Sequence, residues 1–204
     1  MKTCYIIGGG SYDGFFDKKE KGDMIIAADR GYKLIEKENI EVDYIIGDFD
    51  SSIKPDLSRV ISLNPIKDYT DTVAAIEFAR KKGYTNIVIY GGLGGRESHT
   101  LANIRSMYHY KKEGLTIKLK SQKKEVFIVD SKFSYEYKDK DFYVSIFSLC
   151  DKTRLSLKGL FYELEDYRLK IEDALGVSNE TKKENFQISV EEGAVVVIFE
   201  DKSC

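Results

Sequence analysis

Two short segments carry carboxylates at spacings suited to a hard cation. The first is Gly47-Asp48-Phe49-Asp50-Ser51-Ser52, and the second is Lys67-Asp68-Tyr69-Thr70-Asp71. Asp48 and Asp50 are two residues apart, so an extended chain directs both to the same side. Oxygen donors of this kind suit Mg²⁺, which takes one or two carboxylates together with substrate phosphates. Each aspartate also has a plain structural use. Asp48 and Asp50 could form Asx turns, and Asp71 could serve the start of a helix through capping or the helix dipole. Lys67 stands where it could clamp a phosphate.

A third segment, Gly91-Gly92-Leu93-Gly94-Gly95-Arg96, has four glycines in five residues before a helical stretch. Such a run lets backbone N–H groups approach an anion, and the next helix adds its positive end. Arg96 can add bidentate hydrogen bonds to a phosphate. Neither a Walker-A pattern nor GxGxxG occurs, which disfavours a P-loop kinase or a dinucleotide oxidoreductase. The two histidines, His99 and His109, belong to no triad or zinc-ligand pattern.

These residues need elements to position them. Apolar runs at Thr3–Ile7, Met24–Ala28, Tyr44–Ile46, Val60–Leu63 and Ile87–Tyr90 read as strands. They alternate with helical patterns through Leu34–Ile35, over Asp71–Lys82, and from His99 to Glu113. That alternation predicts a parallel sheet covered on both faces, with ligands outside the carboxyl ends of its strands. Gly8–Gly10, Asp29, Asp48, Asp50 and Gly91–Gly95 all follow strands directly. After residue 130 the pattern changes to alternating strands at 133–137, 143–147, 153–157, 187–190 and 194–199. The expected architecture is therefore α/β: a Rossmann-like parallel-sheet domain over residues 1–130, then a small antiparallel β-sandwich over 131–204.

Composition narrows the class. At 204 residues, 42% hydrophobic and 32% charged, the chain can bury a substantial core. Its net charge of −2 supplies no overall basic field for nucleic acid or an anionic membrane. The lysines at 118, 120, 123 and 124 read as a solvated hairpin. Three scattered cysteines, Cys4, Cys150 and Cys204, suggest neither a disulfide framework nor a zinc site. No signal pattern or membrane-length apolar run is present, and the expected location is the cytoplasm.

Taken in order, six segments resemble the thiamine pyrophosphokinase family. They are Ala28-Asp29-Arg30-Gly31, Gly47–Ser51, Lys67–Asp71, Gly91–Arg96, Leu157-Lys158-Gly159-Leu160-Phe161-Tyr162 and Gly176-Val177-Ser178-Asn179-Glu180. The resemblance implies a homodimer that transfers diphosphate from ATP to the hydroxyethyl group of thiamine and releases AMP. It also implies that Asp48, Asp50 and Asp71 hold Mg²⁺, while Lys67 and Arg96 neutralise the polyphosphate. Asp29, Gly9, Gly92, Gly94 and Gly95 would line the nucleotide cleft. Tyr162, Ser178 and Asn179 would contact thiamine at the dimer interface, and an aromatic face suits that flat cation.

Two positions depart from the family pattern. Ser98 stands where an aspartate is usual; it is expected to cap the helix but supplies no carboxylate. Glu163 stands where proline commonly follows the aromatic residue. Two other readings remain: a metal-dependent transferase using a nucleotide diphosphate donor, and a non-catalytic nucleotide or thiamine sensor.

Overall fold

A computed structural model of the chain describes residues 2–48, 60–62 and 68–203. In chain order, the N-terminal elements are β1 (Thr3–Ile7), β2 (Met24–Ala28), α1 (Gly31–Glu36), β3 (Tyr44–Gly47), β4 (Val60–Ser62), α2 (Asp71–Lys81), β5 (Asn86–Tyr90), α3 (Glu97–Lys112) and β6 (Thr116–Lys120). Their strands pair in parallel, in the order β6-β5-β1-β2-β3-β4. The chain thus runs outward from β1 through β4, then returns to β5 on the other side. The strand order reverses between β1 and β5, where an open parallel sheet offers a ligand crevice.

Both faces of this sheet are covered, as continuous apolar strands require. One face packs Tyr5, Ile7, Ile25, Ala27, Ile45 and Tyr90 with Ile35 of α1. Opposite, α2 lies against β1, β2 and β3 and buries Ala74, Ala75, Ile76 and Ala79. These small side chains let the helix approach closely. The connection from β1 to β2 contains no helix. Instead, Phe15 packs its ring 5.1 Å from Tyr5 and 5.2 Å from Tyr90. Asp17 accepts from the Tyr90 hydroxyl at 2.7 Å and from Lys120 at 2.6 Å. Lys120 is therefore not a solvated hairpin lysine: its side chain is only 20% exposed. Burial, followed by the bond to Asp17, drives the Tyr90 phenol above its ordinary pKa. Cys4 is fully buried, as a small core residue.

The second unit contains β7 (Lys124–Val129), β8 (Lys132–Tyr135), β9 (Phe142–Ser148), β10 (Thr153–Lys158), β11 (Leu164–Leu169), β12 (Asn179–Glu180), β13 (Phe186–Glu192) and β14 (Val195–Asp201). β12, β9, β14 and β7 pair antiparallel in that order, and β11, β10, β13 and β8 form a second antiparallel sheet. Alternate residues of β9 are buried, and Val144 and Ile146 join Leu155, Leu157, Ile188, Val195 and Val197 in one core. Phe142 and Phe199 pack there with ring centroids 4.6 Å apart. This is the expected sandwich.

The two compact units divide between Gln122 and Lys123, rather than between 130 and 131. Pairing decides this, because β7 runs antiparallel to β14 along its whole length. Among the described residues, no helix is long and apolar enough to cross a membrane.

Gly31 shows how tightly the strand ends are packed. A Cβ there would fall on the Ile7 carbonyl oxygen, well inside van der Waals contact. Gly31→Ala is expected to destabilise the N-terminal unit by roughly 2–4 kcal/mol, as overpacking against backbone does. Urea unfolding followed by circular dichroism checks this, and a change below about 0.5 kcal/mol would contradict the packing.

Candidate functional site

Neighbouring parallel strands end side by side, so residues that directly follow them become neighbours. Asp29 follows β2 and Asp48 follows β3. Asp29 has φ 49°, a left-handed conformation that aspartate tolerates better than most residues. Its N–H donates to the Ile46 carbonyl at 2.8 Å, carrying the bonding between β2 and β3 one residue beyond β2. Asp71 opens α2 beside them. The capping role considered for Asp71 belongs to Thr70, whose hydroxyl accepts from the Val73 N–H at 3.3 Å.

Asp29, Asp48 and Asp71 each present one carboxylate oxygen, and these oxygens lie within 4.8 Å of one another. All three residues are half-buried. At an effective dielectric of about 20, each such pair of charges repels by roughly 3 kcal/mol. Asp29 Oδ1 is also buried without a hydrogen-bond partner, a costly state for a carboxylate. An all-oxygen donor set with an orphaned buried oxygen fits a hard divalent cation. Asp29 was expected only in the nucleotide cleft; the fold makes it the third member of the acidic group. The signal was its position after a strand, the same position that singled out Asp48. Asp50 and Lys67 lie outside the described residues.

Next to this group are the glycine turns at the order reversal. Gly8 N–H donates to Tyr90 O at 2.7 Å, and Gly10 N–H to Gly91 O at 3.0 Å. A Cβ on Gly9 would stand 3.1 Å from the Arg30 Cβ and 3.7 Å from Asp29 Oδ2. The turn after β1 therefore lies directly against the aspartate turn. In the loop after β5, Gly91, Gly94 and Gly95 have φ between 65° and 69°, which other residues rarely adopt. Gly92 faces inward instead, toward Ile89 and Leu119. Its carbonyl accepts from Asn103 Nδ2 at 2.8 Å. Asn103 lies on α3 and is 8% exposed, so the helix holds the loop from below. Sequence reasoning missed Asn103, because one asparagine within a helical pattern carries no distinguishing signal.

Arg96 is exposed and forms the N-cap position of α3 in an extended conformation, without a side-chain cap bond. Ser98 does not cap the helix as expected. The helix already begins at Glu97, which places Ser98 in the first turn. The start of α3 is left without a side-chain cap, and its first N–H groups are suited to an anion.

In the second unit, Phe161 and Tyr162 are 60% and 73% exposed. Ser178 is exposed at φ 54°, with its N–H donating to Ser145 Oγ at 3.0 Å. Asn179 is buried, and its amide is engaged on both sides by the backbone of Tyr162. The Glu163 carboxylate accepts from Lys182 at 2.8 Å and Gly159 N–H at 2.9 Å. The bond from Lys182, then that from Gly159, holds the Glu163 carboxyl below its ordinary pKa.

Comparison with known proteins agrees with both halves of this arrangement. The family model described as "Thiamin pyrophosphokinase, catalytic domain" matches residues 17–119. A second, "Thiamin pyrophosphokinase, vitamin B1 binding domain", matches residues 132–195. The chain is 26% identical over 213 aligned positions to the thiamine pyrophosphokinase of Bacillus subtilis, covering 97% of this chain and 98% of that protein. A crystal structure of that enzyme superposes with a TM-score of 0.87 at 25% identity, covering 98% of this chain and 100% of the other. The structure from Geobacillus thermodenitrificans gives 0.85 at 24% identity, with 99% of each chain covered.

The acidic group has a stability signature of its own. In EDTA, Asp29→Asn is expected to raise stability by about 1 kcal/mol, because it removes one repelling charge while asparagine still tolerates the left-handed backbone. Differential scanning fluorimetry should show a rise of roughly 2–4 °C. A fall in melting temperature would contradict the packing of these carboxylates.

Proposed function

From the chain's membership of the thiamine pyrophosphokinase family, we propose that it transfers diphosphate from ATP to the hydroxyethyl oxygen of thiamine, giving thiamine diphosphate and AMP. The observation that carries the reading is the convergence of Asp29, Asp48 and Asp71 beside glycine turns at the order reversal of the sheet. In this reading those three aspartates hold Mg²⁺, with Asp50 as a further candidate from the sequence. A bound Mg²⁺ would neutralise phosphate oxygens and polarise the bond that breaks.

The remaining work is positioning and charge stabilisation, on which phosphoryl chemistry chiefly depends. Backbone N–H groups around Gly94 and Gly95, the start of α3 and the Arg96 guanidinium would bind the polyphosphate. Lys67 would add a further positive charge. Gly9 and Gly92 serve by shape: Gly9 lets the turn after β1 close on Arg30 and Asp29, and Gly92 packs against the side chains of Ile89, Leu119 and Asn103. In the second unit, the exposed Tyr162 ring would lie against the thiamine cation, with Ser178 as a polar neighbour. The thiamine oxygen attacks the β-phosphorus, the bond to the α-phosphate oxygen breaks, and AMP leaves. The hydroxyl proton passes late to a site carboxylate, Asp48 or Asp71. Homodimerisation and a cytoplasmic location belong to the same proposal.

Ser98 favours one competing reading, a sensor that binds ligand without turnover, since it supplies no carboxylate. Incubation with ATP, thiamine and Mg²⁺ separates the two. Equal formation of AMP and thiamine diphosphate, abolished by EDTA, is expected. Ligand binding without either product would favour the sensor; in a parallel reaction supplied with a nucleotide-sugar donor, release of its nucleoside diphosphate would indicate another transferase. In the same assay, Asp71→Ala is expected to lower turnover at least about 100-fold with its circular dichroism unchanged. Near-normal turnover would remove Asp71 from the site.

A further inference from the structure

The loop between β10 and β11 presents two aromatic rings to solvent, and such a loop stays in one shape only if its backbone is fastened. Leu160 anchors the loop in the sandwich core, and three polar attachments hold the rest of it. Phe161 N–H donates to the Glu180 carbonyl at 2.9 Å, next to an isolated bridge between Leu160 and Thr181. Glu163 Oε1 closes the loop on itself through Gly159 N–H and fastens it outward to Lys182. The third attachment is Asn179, which is 5% exposed. Its Oδ1 accepts from Tyr162 N–H at 3.0 Å and from Glu180 N–H at 2.9 Å, while Nδ2 donates to Tyr162 O at 2.7 Å.

An asparagine amide has two acceptor and two donor positions. Here backbone groups take both acceptor positions and one donor, and two of those three bonds grip the same residue. The amide therefore reads both the N–H and the C=O of Tyr162, as a neighbouring strand would. Aspartate at 179 would keep the acceptor but set a charged oxygen against the Tyr162 carbonyl. Leucine would leave three backbone groups unpaired.

We propose that Asn179, with the Glu163–Lys182 pair, acts on the organic substrate through Tyr162: these are positioning residues that hold the aromatic face in place, and Asn179 is not itself a ligand. This rests on the reading of Tyr162 as the thiamine platform. It reassigns Asn179 from contact to support, and it gives Glu163 a role built from this chain's own bonds. A proline would restrict the loop through its ring; Glu163 does so through two hydrogen bonds, one of them charge-assisted on both sides.

The test is calorimetric titration of the full-length protein with thiamine and, separately, with ATP and Mg²⁺. Asn179→Asp is expected to weaken thiamine binding about tenfold, the factor that goes with losing a satisfied buried hydrogen bond. ATP affinity should change by less than about twofold, being governed by other residues. Glu163→Gln, at an exposed position that endangers no core, is expected to weaken thiamine binding about threefold at low salt. Its difference from wild type should vanish near about 1 M NaCl, where an exposed charge pair is screened. In a Tyr162→Ala background, Asn179→Asp should add nothing. An undiminished effect in that background would make Asn179 a direct ligand and overturn the inference. Unchanged thiamine affinity in both folded single variants would also overturn it. If Tyr162→Ala itself leaves thiamine affinity unchanged, the platform reading fails first and the inference falls with it.

Discussion

Mutual repulsion among three carboxylates is the constraint around which the N-terminal unit is arranged. Asp29, Asp48 and Asp71 come from a strand end, the next strand end and a helix start, and no local sequence contact brings them together. Folding must force them into proximity, and the work comes from burying strands β1, β2, β3 and β5 between helices and aromatic side chains. Carboxylate oxygens held within 4.8 Å of one another fit the cation site proposed for them. The unpartnered oxygen of Asp29 points the same way. Beside it, the glycine turns after β1 and β5 pack closely on each other, with Gly8 and Gly10 donating to the backbone of Tyr90 and Gly91.

The second unit solves a different problem, that of displaying aromatic surface without burying it. Its sandwich core is complete without Phe161 and Tyr162, which remain exposed on a loop. Exposed aromatics of this kind usually mark a binding surface. The loop is anchored by Leu160, which is fully buried in the sandwich core, and stiffened by polar bonds, which leaves the ring faces available. In the proposed function the two units divide the chemistry between them, polyphosphate on one and an aromatic cation on the other.

The alternation of strands and helices was legible because β1, β2, β3 and β5 are short apolar runs ended by glycine or aspartate. Asp48 and the glycine loop were legible for the same reason. The membership of Asp29 was not, because it depends on β2 and β3 being neighbours, a matter of strand order rather than local pattern. Thr70 and Asp71 are adjacent candidates for one cap, and only backbone geometry separates their roles. β11 escaped notice because its residues are mostly exposed, so it shows no apolar alternation. The segment carrying Lys118, Lys120, Lys123 and Lys124 read as one strand-turn-strand unit, which kept β6 and β7 together. The change to alternating strands after 130 set the expected boundary there. Asn179 read as a polar turn residue or a substrate contact; its burial against Tyr162 arises from folding.

The central claim is that Asp29, Asp48 and Asp71 form one cation site, and binding of Mn²⁺ followed by electron paramagnetic resonance tests it most directly. The free-ion signal should be depleted by one saturable site per chain, displaced by Mg²⁺, and restored when Asp29 is replaced by asparagine. Absence of saturable binding in the wild-type protein, or equal binding in Asp29→Asn, would contradict the account.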